Sequence, residues 1–260
     1  MRHLLFALVL AFLASCGSDS NSLSPEEYIN LNNLQATELS EGVFIIIHDE
    51  GNEERASLEQ VVDVNYTARL TDETQFDQAE DFTVSLGSLI PGWQIGLGEI
   101  GVGGSCTLII PYQVGFGEVQ NGPVPAKSTL IFEITLNDIY SIRTVEEYIT
   151  DNELNTTVLD KGVQIVIHEP GSDVKPNPDS QVVINYIGKL TNELVFDRGV
   201  GVTFGLGNLI EGWQIGLQEL GESGSCTLVI PSDAAYGDAQ VGIIPPNSPL
   251  VFEIDLISVD

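Results

Sequence analysis

The sequence predicts an α+β fold that is built twice, as two tandem copies of one domain. The segment LIPGWQIGL at Leu89–Leu97 returns 120 residues later, at Leu209–Leu217, as LIEGWQIGL. The correspondence runs along almost the whole chain without insertion or deletion, with EEYI at 26 and 146 and GSCTL at 104 and 224. Each copy has roughly 115 residues, a usual domain size. A period this long indicates that each copy closes its own core.

A short helix is predicted at the start of each copy. In the first copy Ser24 is the N-cap, Pro25 the first helical residue and Glu27 the partner that completes a capping box. Thr144 and Glu147 repeat this box in the second copy. Another short helix is predicted over 94–101 and over 214–221, following each Gly-Trp pair and ending at a glycine.

Five strands are predicted in each copy, because runs rich in β-branched and aromatic residues alternate with glycine and proline. In the first copy these runs are 42–48, 61–70, 82–87, 105–111 and 130–139, and in the second they are 162–168, 181–190, 202–207, 225–231 and 250–259. Strands that surround a single central helix predict an α+β domain with an antiparallel sheet.

The N-terminus has the features of a bacterial export signal. Arg2 precedes an unbroken apolar run of 11 residues, Leu4–Ala14, which suits a signal peptide and is shorter than the ~20 residues that cross a bilayer. The following LASC, Leu13–Cys16, resembles the lipobox in which the cysteine receives lipid; the alternative is an ordinary signal peptide with a chance cysteine. We therefore predict a signal peptide at 1–15, a lipidated tether at 16–23 starting with Cys16, domains at 24–142 and 143–260, and a location in the bacterial cell envelope, anchored to its membrane.

Composition and cysteine placement argue against several functions. The net charge is −29, with 38 acidic and 9 basic residues, so nucleic-acid binding, which depends on Lys and Arg, is not expected. Cys106 and Cys226 occupy equivalent apolar runs and are predicted to be buried core residues. The alternative, a Cys2His2 metal site with His48 and His168, would have to straddle both domains. Neither a metal nor a cofactor is expected.

No common catalytic signature is present. The glycine run GVGVTFGLG lacks the Lys-Ser/Thr of a phosphate-binding loop, and no serine lies in a nucleophile elbow. Each copy instead carries aromatic and aliphatic side chains at the ends of its predicted elements. Any one of them is compatible with an ordinary core, but Trp213 and Tyr236 lie next to glycines at junctions, where clefts form.

The motif order identifies a family resemblance. The order V-x-x-N-Y-x-x-x-L, F-D, L-G-x-L-I-x-G-W-x-x-G-L, C-T-L-x-I-P, Y-G and I-I-P-P-N-S-x-L-x-F-E-I resembles the FKBP-type peptidyl-prolyl cis/trans isomerases. It spans about 186–256 and, with departures, 66–136. The resemblance implies two FKBP-like domains, each a bent antiparallel sheet wrapped around a short helix. In each domain it implies a shallow apolar pocket between the sheet and the helix.

In the second copy the resemblance assigns a role to each matching residue. It makes Trp213 the pocket floor, Tyr186, Phe196 and Phe252 the walls, Leu209 and Ile210 the rim, Asp197 the edge, Tyr236 a hydroxyl donor to a substrate carbonyl, and Ile244 the residue that closes the pocket. The Ile210 N–H is expected to meet a second substrate carbonyl. Phe204 lies two places from the usual wall phenylalanine, where this chain has Val202.

In the first copy the equivalent pocket is less complete. The matching residues are Tyr66, Phe76, Asp77, Phe82, Leu89, Ile90, Trp93, Phe116, Val124 and Phe132. Phe116 replaces the tyrosine hydroxyl, and NGPVPAKS replaces VGIIPPNS around the closing residue. The second domain is therefore expected to be the more active one.

The resemblance implies an isomerase that accelerates X-Pro rotation in folding client proteins of the envelope. Its expected partners are Pro-containing polypeptides, macrolide ligands of the family, and a membrane reached through the lipid. The alternative is a lipid-anchored chaperone or scaffold that binds Pro-containing segments without significant catalysis.

Overall fold

The computed structural model describes residues 22–260. The predicted signal peptide and Cys16 lie outside these residues. Each repeat forms its own six-stranded antiparallel sheet, so the predicted α+β fold with two tandem domains is confirmed.

The two domains have the same elements in the same order. The first contains α1 (Pro25–Leu31), β1 (Thr37–Glu38), β2 (Phe44–Asp49), β3 (Val61–Leu70), β4 (Gln75–Ser85), α2 (Pro91–Leu97), β5 (Ser105–Ile110) and β6 (Leu130–Tyr140). The second contains α3 (Val145–Asp151), β7 (Thr157–Val158), β8 (Gln164–Glu169), β9 (Gln181–Leu190), β10 (Val195–Gly205), α4 (Glu211–Leu217), β11 (Ser225–Ile230) and β12 (Leu250–Val259). The strand orders are β1-β2-β5-β6-β3-β4 and β10-β9-β12-β11-β8-β7.

The leading helices form as predicted and lie against one face of each sheet. Both capping boxes are complete, Ser24 with Glu27 and Thr144 with Glu147, which satisfies backbone N–H groups that the helix itself cannot pair. Tyr28 of α1 packs against buried residues of β5 and β6, and α3 packs equivalently against β11 and β12.

The central helices cover the opposite face and lie very close to the sheet. A Cβ at Gly212 would come within 2.3 Å of Ile230, and a Cβ at Gly216 within 2.5 Å of Leu228. Gly92 and Gly96 have the same relation to β5. The glycines around each tryptophan therefore let the helix backbone approach the strand, and this seats the tryptophan in the core.

Three details of the sequence prediction were wrong. The central helices run over 91–97 and 211–217, so each begins before its tryptophan and ends before Gly101 or Gly221. Each sheet has a sixth strand, the two-residue β1 or β7, which is too short to show a pattern. The edge strands β4 and β10 begin at 75 and 195 rather than 82 and 202, because their exposed, polar first halves do not alternate in hydrophobicity.

The cores of the two domains take up both cysteines. Cys106 and Cys226 are buried in separate clusters, and burial raises the pKa of each thiol to about 12. His48 and His168 are exposed and each bonds a threonine of the neighbouring strand. Over residues 22–260 there is no group of three or more His, Cys, Asp or Glu side chains that could hold a metal ion. No helix in that range is long and apolar enough to cross a membrane.

Candidate functional site

An aromatic cluster fills the space between the sheet and α4 in the second domain. Trp213 is 4% exposed and forms its base. Its ring lies 5.0 Å from Phe252 and 5.4 Å from Tyr186, at interplanar angles of 88° and 79°. Phe196 stands edge-on to Phe252 at 5.6 Å. Edge-to-face contacts of this kind are favourable for aromatic rings and fix the ring planes, so the four predicted residues form one wall and floor.

Phe204 joins this cluster, although it was left out of the predicted site. Its ring lies 6.1 Å from Tyr186 and 6.2 Å from Trp213. In the first domain this space is filled by Phe82, which is equivalent to Val202 in the repeat and lies 5.7 Å from Tyr66. Residues two apart on a strand face the same side, so a phenylalanine two residues further along β10 still reaches the tyrosine.

A hydrogen bond connects the tyrosine wall to the carboxylate at the pocket edge. The Tyr186 hydroxyl donates to Asp197 Oδ2 at 2.8 Å, and the Arg198 backbone N–H donates to Asp197 Oδ1 at 2.8 Å. Burial, followed by the bond to Asp197 and its charge, raises the pKa of Tyr186 to about 12. The phenol is therefore a neutral donor at physiological pH, and its ring orientation is fixed.

The rim comes from the start of α4 and from a loop that we call the second flap, residues 237–249. Leu209 and Ile210 are half-buried against the core, with Ile210 at the helix N-cap. Within residues 22–260 the Ile210 backbone N–H forms no hydrogen bond, as expected of a group that binds a substrate carbonyl. Ile244 is buried in the cluster, and Tyr236, just before the flap, is 38% exposed.

A buried polar donor remains unpaired at the base of the pocket. Among the described residues, Trp213 Nε1 has no hydrogen-bond acceptor. An unpaired buried N–H destabilises the empty protein by about 1–3 kcal/mol. The indole N–H of Trp213 therefore lies buried without an acceptor inside an otherwise aromatic and aliphatic cluster.

The first domain builds nearly the same pocket. Trp93 lies 5.2 Å from Tyr66 and 5.1 Å from Phe132, and the Tyr66 hydroxyl donates to Asp77 Oδ2 at 2.7 Å. The remaining predicted residues are arranged as in the second domain: Phe76 lies beside Phe132, Leu89 and Ile90 are half-buried before α2, and Val124 is the buried residue of the first flap, residues 117–129.

Phe116 makes the main difference between the two pockets. Its ring lies 6.2 Å from Phe76 at 68° and is half-buried against the core. Tyr236, at the same place in the second domain, has no such aromatic partner among the described residues. The first pocket therefore has an extra apolar contact where the second offers a hydroxyl to solvent.

Gly188 brings two wall rings of the second pocket close to the backbone. A Cβ at this position would come within 2.8 Å of both Phe196 and Phe252. The first domain has Ala68 at the same position. The Phe76 and Phe132 rings there lie 5.9 Å apart, against 5.6 Å for Phe196 and Phe252. The second domain thus has no Cβ where the two wall rings approach the backbone.

Comparison with known proteins decides the family. The family model described as FKBP-type peptidyl-prolyl cis-trans isomerase matches residues 52–137 and 172–257, more than half of the chain.

The chain belongs to the FKBP-type peptidyl-prolyl cis-trans isomerase family.

Its FKBP-type relatives include bacterial proteins. The chain is 40% identical over 102 residues to the FKBP-type peptidyl-prolyl cis-trans isomerase FkpA of Escherichia coli, covering 38% of each chain. It is 34% identical over 113 residues to the peptidyl-prolyl cis-trans isomerase Mip of Coxiella burnetii, covering 42% of this chain and 49% of the relative. The matches thus span less than half the length of these relatives. A solved peptidyl-prolyl cis-trans isomerase from Pseudomonas syringae aligns at 33% identity over 45% of this chain and 90% of its own, with a TM-score of 0.42.

Two residues of this FKBP-type pocket are absent from the site predicted from the sequence, although each has a signal there. Phe204 departs from the family spacing by two residues, but the two-residue period of a strand keeps it on the same face as the usual wall phenylalanine. Gly188 carries no side chain, so only the difference from Ala68 between the repeats signals its role.

Proposed function

We propose that the protein is a peptidyl-prolyl cis-trans isomerase that accelerates rotation about X-Pro bonds in folding polypeptides, with the second domain as the more active one. The observation that carries this proposal is the pocket whose floor is Trp213 and whose walls are Tyr186, Phe196, Phe204 and Phe252, all in edge-to-face contact. Such a site suits the ring of a proline.

The pocket chemistry fits the demands of this reaction. Rotation about an X-Pro bond takes tens of seconds without a catalyst, with a barrier of roughly 20 kcal/mol, because it breaks amide resonance. The twisted amide has less charge separation than the planar one. An apolar site therefore holds it better than water does, and binding that is stronger in the transition state lowers the barrier.

The chain's own groups would orient the substrate. The proline ring would rest on Trp213, the free Ile210 N–H would donate to one substrate carbonyl, and the exposed Tyr236 hydroxyl to another. Asp197, whose Oδ2 accepts from Tyr186, would hold that wall in place. No step requires a nucleophile or a proton transfer.

The experiment is a proline-limited peptide isomerisation assay on the full chain and on Trp93→Leu, Trp213→Leu and the double variant. We expect most of the rate to disappear with Trp213→Leu, a smaller part with Trp93→Leu, and nearly all with both. A double variant that retains the wild-type rate would contradict the proposal.

A second function, binding without catalysis, is favoured for the first domain by Phe116. Its ring packs against Phe76 and offers no hydroxyl. The first domain would then hold Pro-containing segments while the second isomerises them. If the wild-type chain binds a Pro-containing peptide but shows no isomerisation, the chaperone or scaffold function replaces the enzyme.

The location and further ligands are also proposals. We infer a lipid anchor at Cys16 and a place in the bacterial envelope from the LASC segment that follows the apolar run. Macrolide ligands of the family would occupy the same apolar pockets, and client proteins would be envelope polypeptides that contain proline.

A further inference from the structure

A valine of the first domain is buried in the core cluster of the second domain. Val61, the first residue of β3, is 0% exposed and belongs to the core cluster that contains Ala234 and Ile244. The equivalent residue of the second domain, Gln181, is exposed. The repeat thus supplies its own comparison, because the same strand position is apolar only where another domain covers it.

A hydrogen bond joins the first domain to the second flap at a neighbouring point. Ser85 pairs with Val61 across β3 and β4 and is itself fully buried. Its Oγ donates to Gln240 Oε1 at 3.2 Å, and Gln240 Nε2 donates to the Gly242 carbonyl within the flap at 2.8 Å. Gln240 therefore connects the first domain to the flap backbone.

The first flap has the local half of this arrangement only. Gln120 Nε2 donates to the Gly122 carbonyl at 3.0 Å, as Gln240 does in the second flap. Within residues 22–260, however, Gln120 has no side-chain partner from the other domain. Ser85 itself corresponds to Gly205, which has no hydroxyl to donate.

The segment between the domains is held by hydrogen bonds at both ends, and these bonds support the contact between the first domain and the second flap. Gln60 Nε2 donates to Ser141 Oγ at 2.8 Å. The Arg143 N–H donates to Thr191 Oγ1 at 2.9 Å, and Thr191 Oγ1 donates back to the Arg143 carbonyl at 2.8 Å. These bonds fix the linker to β3 on one side and to the β9–β10 turn on the other.

We propose that the first domain positions the flap of the second pocket through Val61 and the Ser85–Gln240 hydrogen bond. Gln240 is next to Val241, whose backbone pairs with Ile244, so holding Gln240 also holds the residue that closes the pocket. A loop that is ordered before the substrate arrives loses less conformational entropy on binding. The effect of this support on catalysis rests on the proposed function, whereas the effect of this support on the order of the flap does not.

The test measures hydrogen exchange in both flaps of the full chain. The second flap has exchange-protected amides, since Val241, Ile244 and Asn247 donate to backbone carbonyls. The first flap has the matching bonds from Asn121, Val124 and Lys127. Exchange in 237–249 therefore reports opening of the supported flap, and exchange in 117–129 is an internal control in the same molecule.

Two variants remove the support in different ways. Ser85→Ala removes one hydrogen bond, which corresponds to about 2- to 13-fold faster exchange in 237–249. Val61→Gln installs the residue that the second domain carries at the same strand position, so the strand accepts it, while the buried contact is lost. We expect it to accelerate exchange in 237–249 at least as much, and neither variant to change 117–129. Gln120→Ala serves as the matched control and should leave 237–249 unchanged.

A kinetic measurement separates positioning from catalysis. With Trp93→Leu present to silence the first pocket, Ser85→Ala should raise KM for an X-Pro peptide by a similar factor and change kcat little. Unchanged exchange in 237–249 for both Ser85→Ala and Val61→Gln would overturn the inference. A wild-type chain without isomerase activity would contradict the proposed function instead. The exchange result would still decide whether the first domain positions the second flap.

Discussion

The ring of Phe204 lies 6.2 Å from the ring of Trp213, whereas the equivalent residue of the first domain, Val84, is not aromatic. The two domains thus place a phenylalanine against the same tyrosine from two different strand positions. Each edge-to-face aromatic pair contributes about 0.5–1.5 kcal/mol beyond its buried area. Phe204 makes two such pairs, as many as Tyr186 and Phe252 make.

Phe204→Ala should therefore weaken the second pocket. We expect a loss in kcat/KM of about 2- to 13-fold for each aromatic pair that is removed, measured in a full chain that carries Trp93→Leu. Val202→Ala, on the same strand face, is the control and should have a smaller effect. If the two substitutions lower kcat/KM equally, Phe204 has no special part in the wall.

Trp213 should respond to a ligand in a way that a sealed core tryptophan would not. With Trp93→Leu present, its fluorescence should change when a macrolide ligand of the family is added, because the ligand would lie on the indole ring. Trp213→Leu should abolish binding and retain a cooperative unfolding transition. Loss of the folded state in Trp213→Leu would mean that the residue serves the core alone.

The difference between Phe116 and Tyr236 should make the second site the faster one. Tyr236 offers a hydroxyl and Phe116 does not, and a hydrogen bond of this kind contributes about 0.5–1.5 kcal/mol, or about 2- to 13-fold in rate. Tyr236→Phe should lower kcat/KM of the second site by no more than this. Phe116→Tyr should raise kcat/KM of the first site by no more than a similar factor. Each site is assayed in the full chain with the opposite tryptophan replaced by leucine, and a faster first site would refute the ranking.

Alkaline solution should destabilise the protein through Tyr186. Burial, the bond to Asp197 and its charge raise the phenol pKa from 10.0 to about 12. The folded protein therefore holds this proton more tightly than the unfolded chain. The resulting stability is complete below pH 10 and is lost as pH rises through about 12.

The check is urea unfolding between pH 9 and pH 12 for the wild type and Tyr186→Phe. We expect the free energy of unfolding to fall less steeply with pH in the variant, because one raised pKa has been removed. Tyr66→Phe should reduce the slope in the same way, since burial and the bond to Asp77 raise the pKa of Tyr66 to about 12 in the first domain. Identical slopes in all three proteins would exclude this linkage.

The proposed anchor can be tested by metabolic labelling. Labelled fatty acid should enter the wild type and not Cys16→Ala, because only the thiol that follows Leu-Ala-Ser can accept it. Cys106→Ala is a control that should label normally, since that thiol is buried in the core. Equal labelling of wild type and Cys16→Ala would contradict the proposed lipid anchor at Cys16.

Sequence reasoning reached the elements whose patterns are local. The strands Val61–Leu70 and Gln181–Leu190 match the predicted runs from end to end, because one face of each is buried and the residues alternate. Both leading helices were predicted from their capping boxes. The helix that carries Trp213 was misplaced, since Gly212 in its first turn and Gly216 one turn later serve close packing on β11 rather than helix formation.

The rest depended on relationships that the sequence does not show. Val61 appears as an ordinary strand residue, and only the placement of the second domain explains its burial. The hydrogen bond from Ser85 to Gln240 connects residues 155 apart in the chain. The site residues could be named from the resemblance, but the contact between the domains could not.

The edge strands have a consequence for the protein at high concentration. Each sheet has an open edge at β4 or β10, and an uninterrupted edge is a template for another chain. Both strands have a register shift where they pass the pocket, in β4 between Ala79 and Phe82 and in β10 between Gly199 and Val202, and β4 presents acidic side chains. Bulges and charges at an edge hinder strand addition. The irregularities beside the aromatic walls therefore also protect the chain against aggregation through its sheet edges.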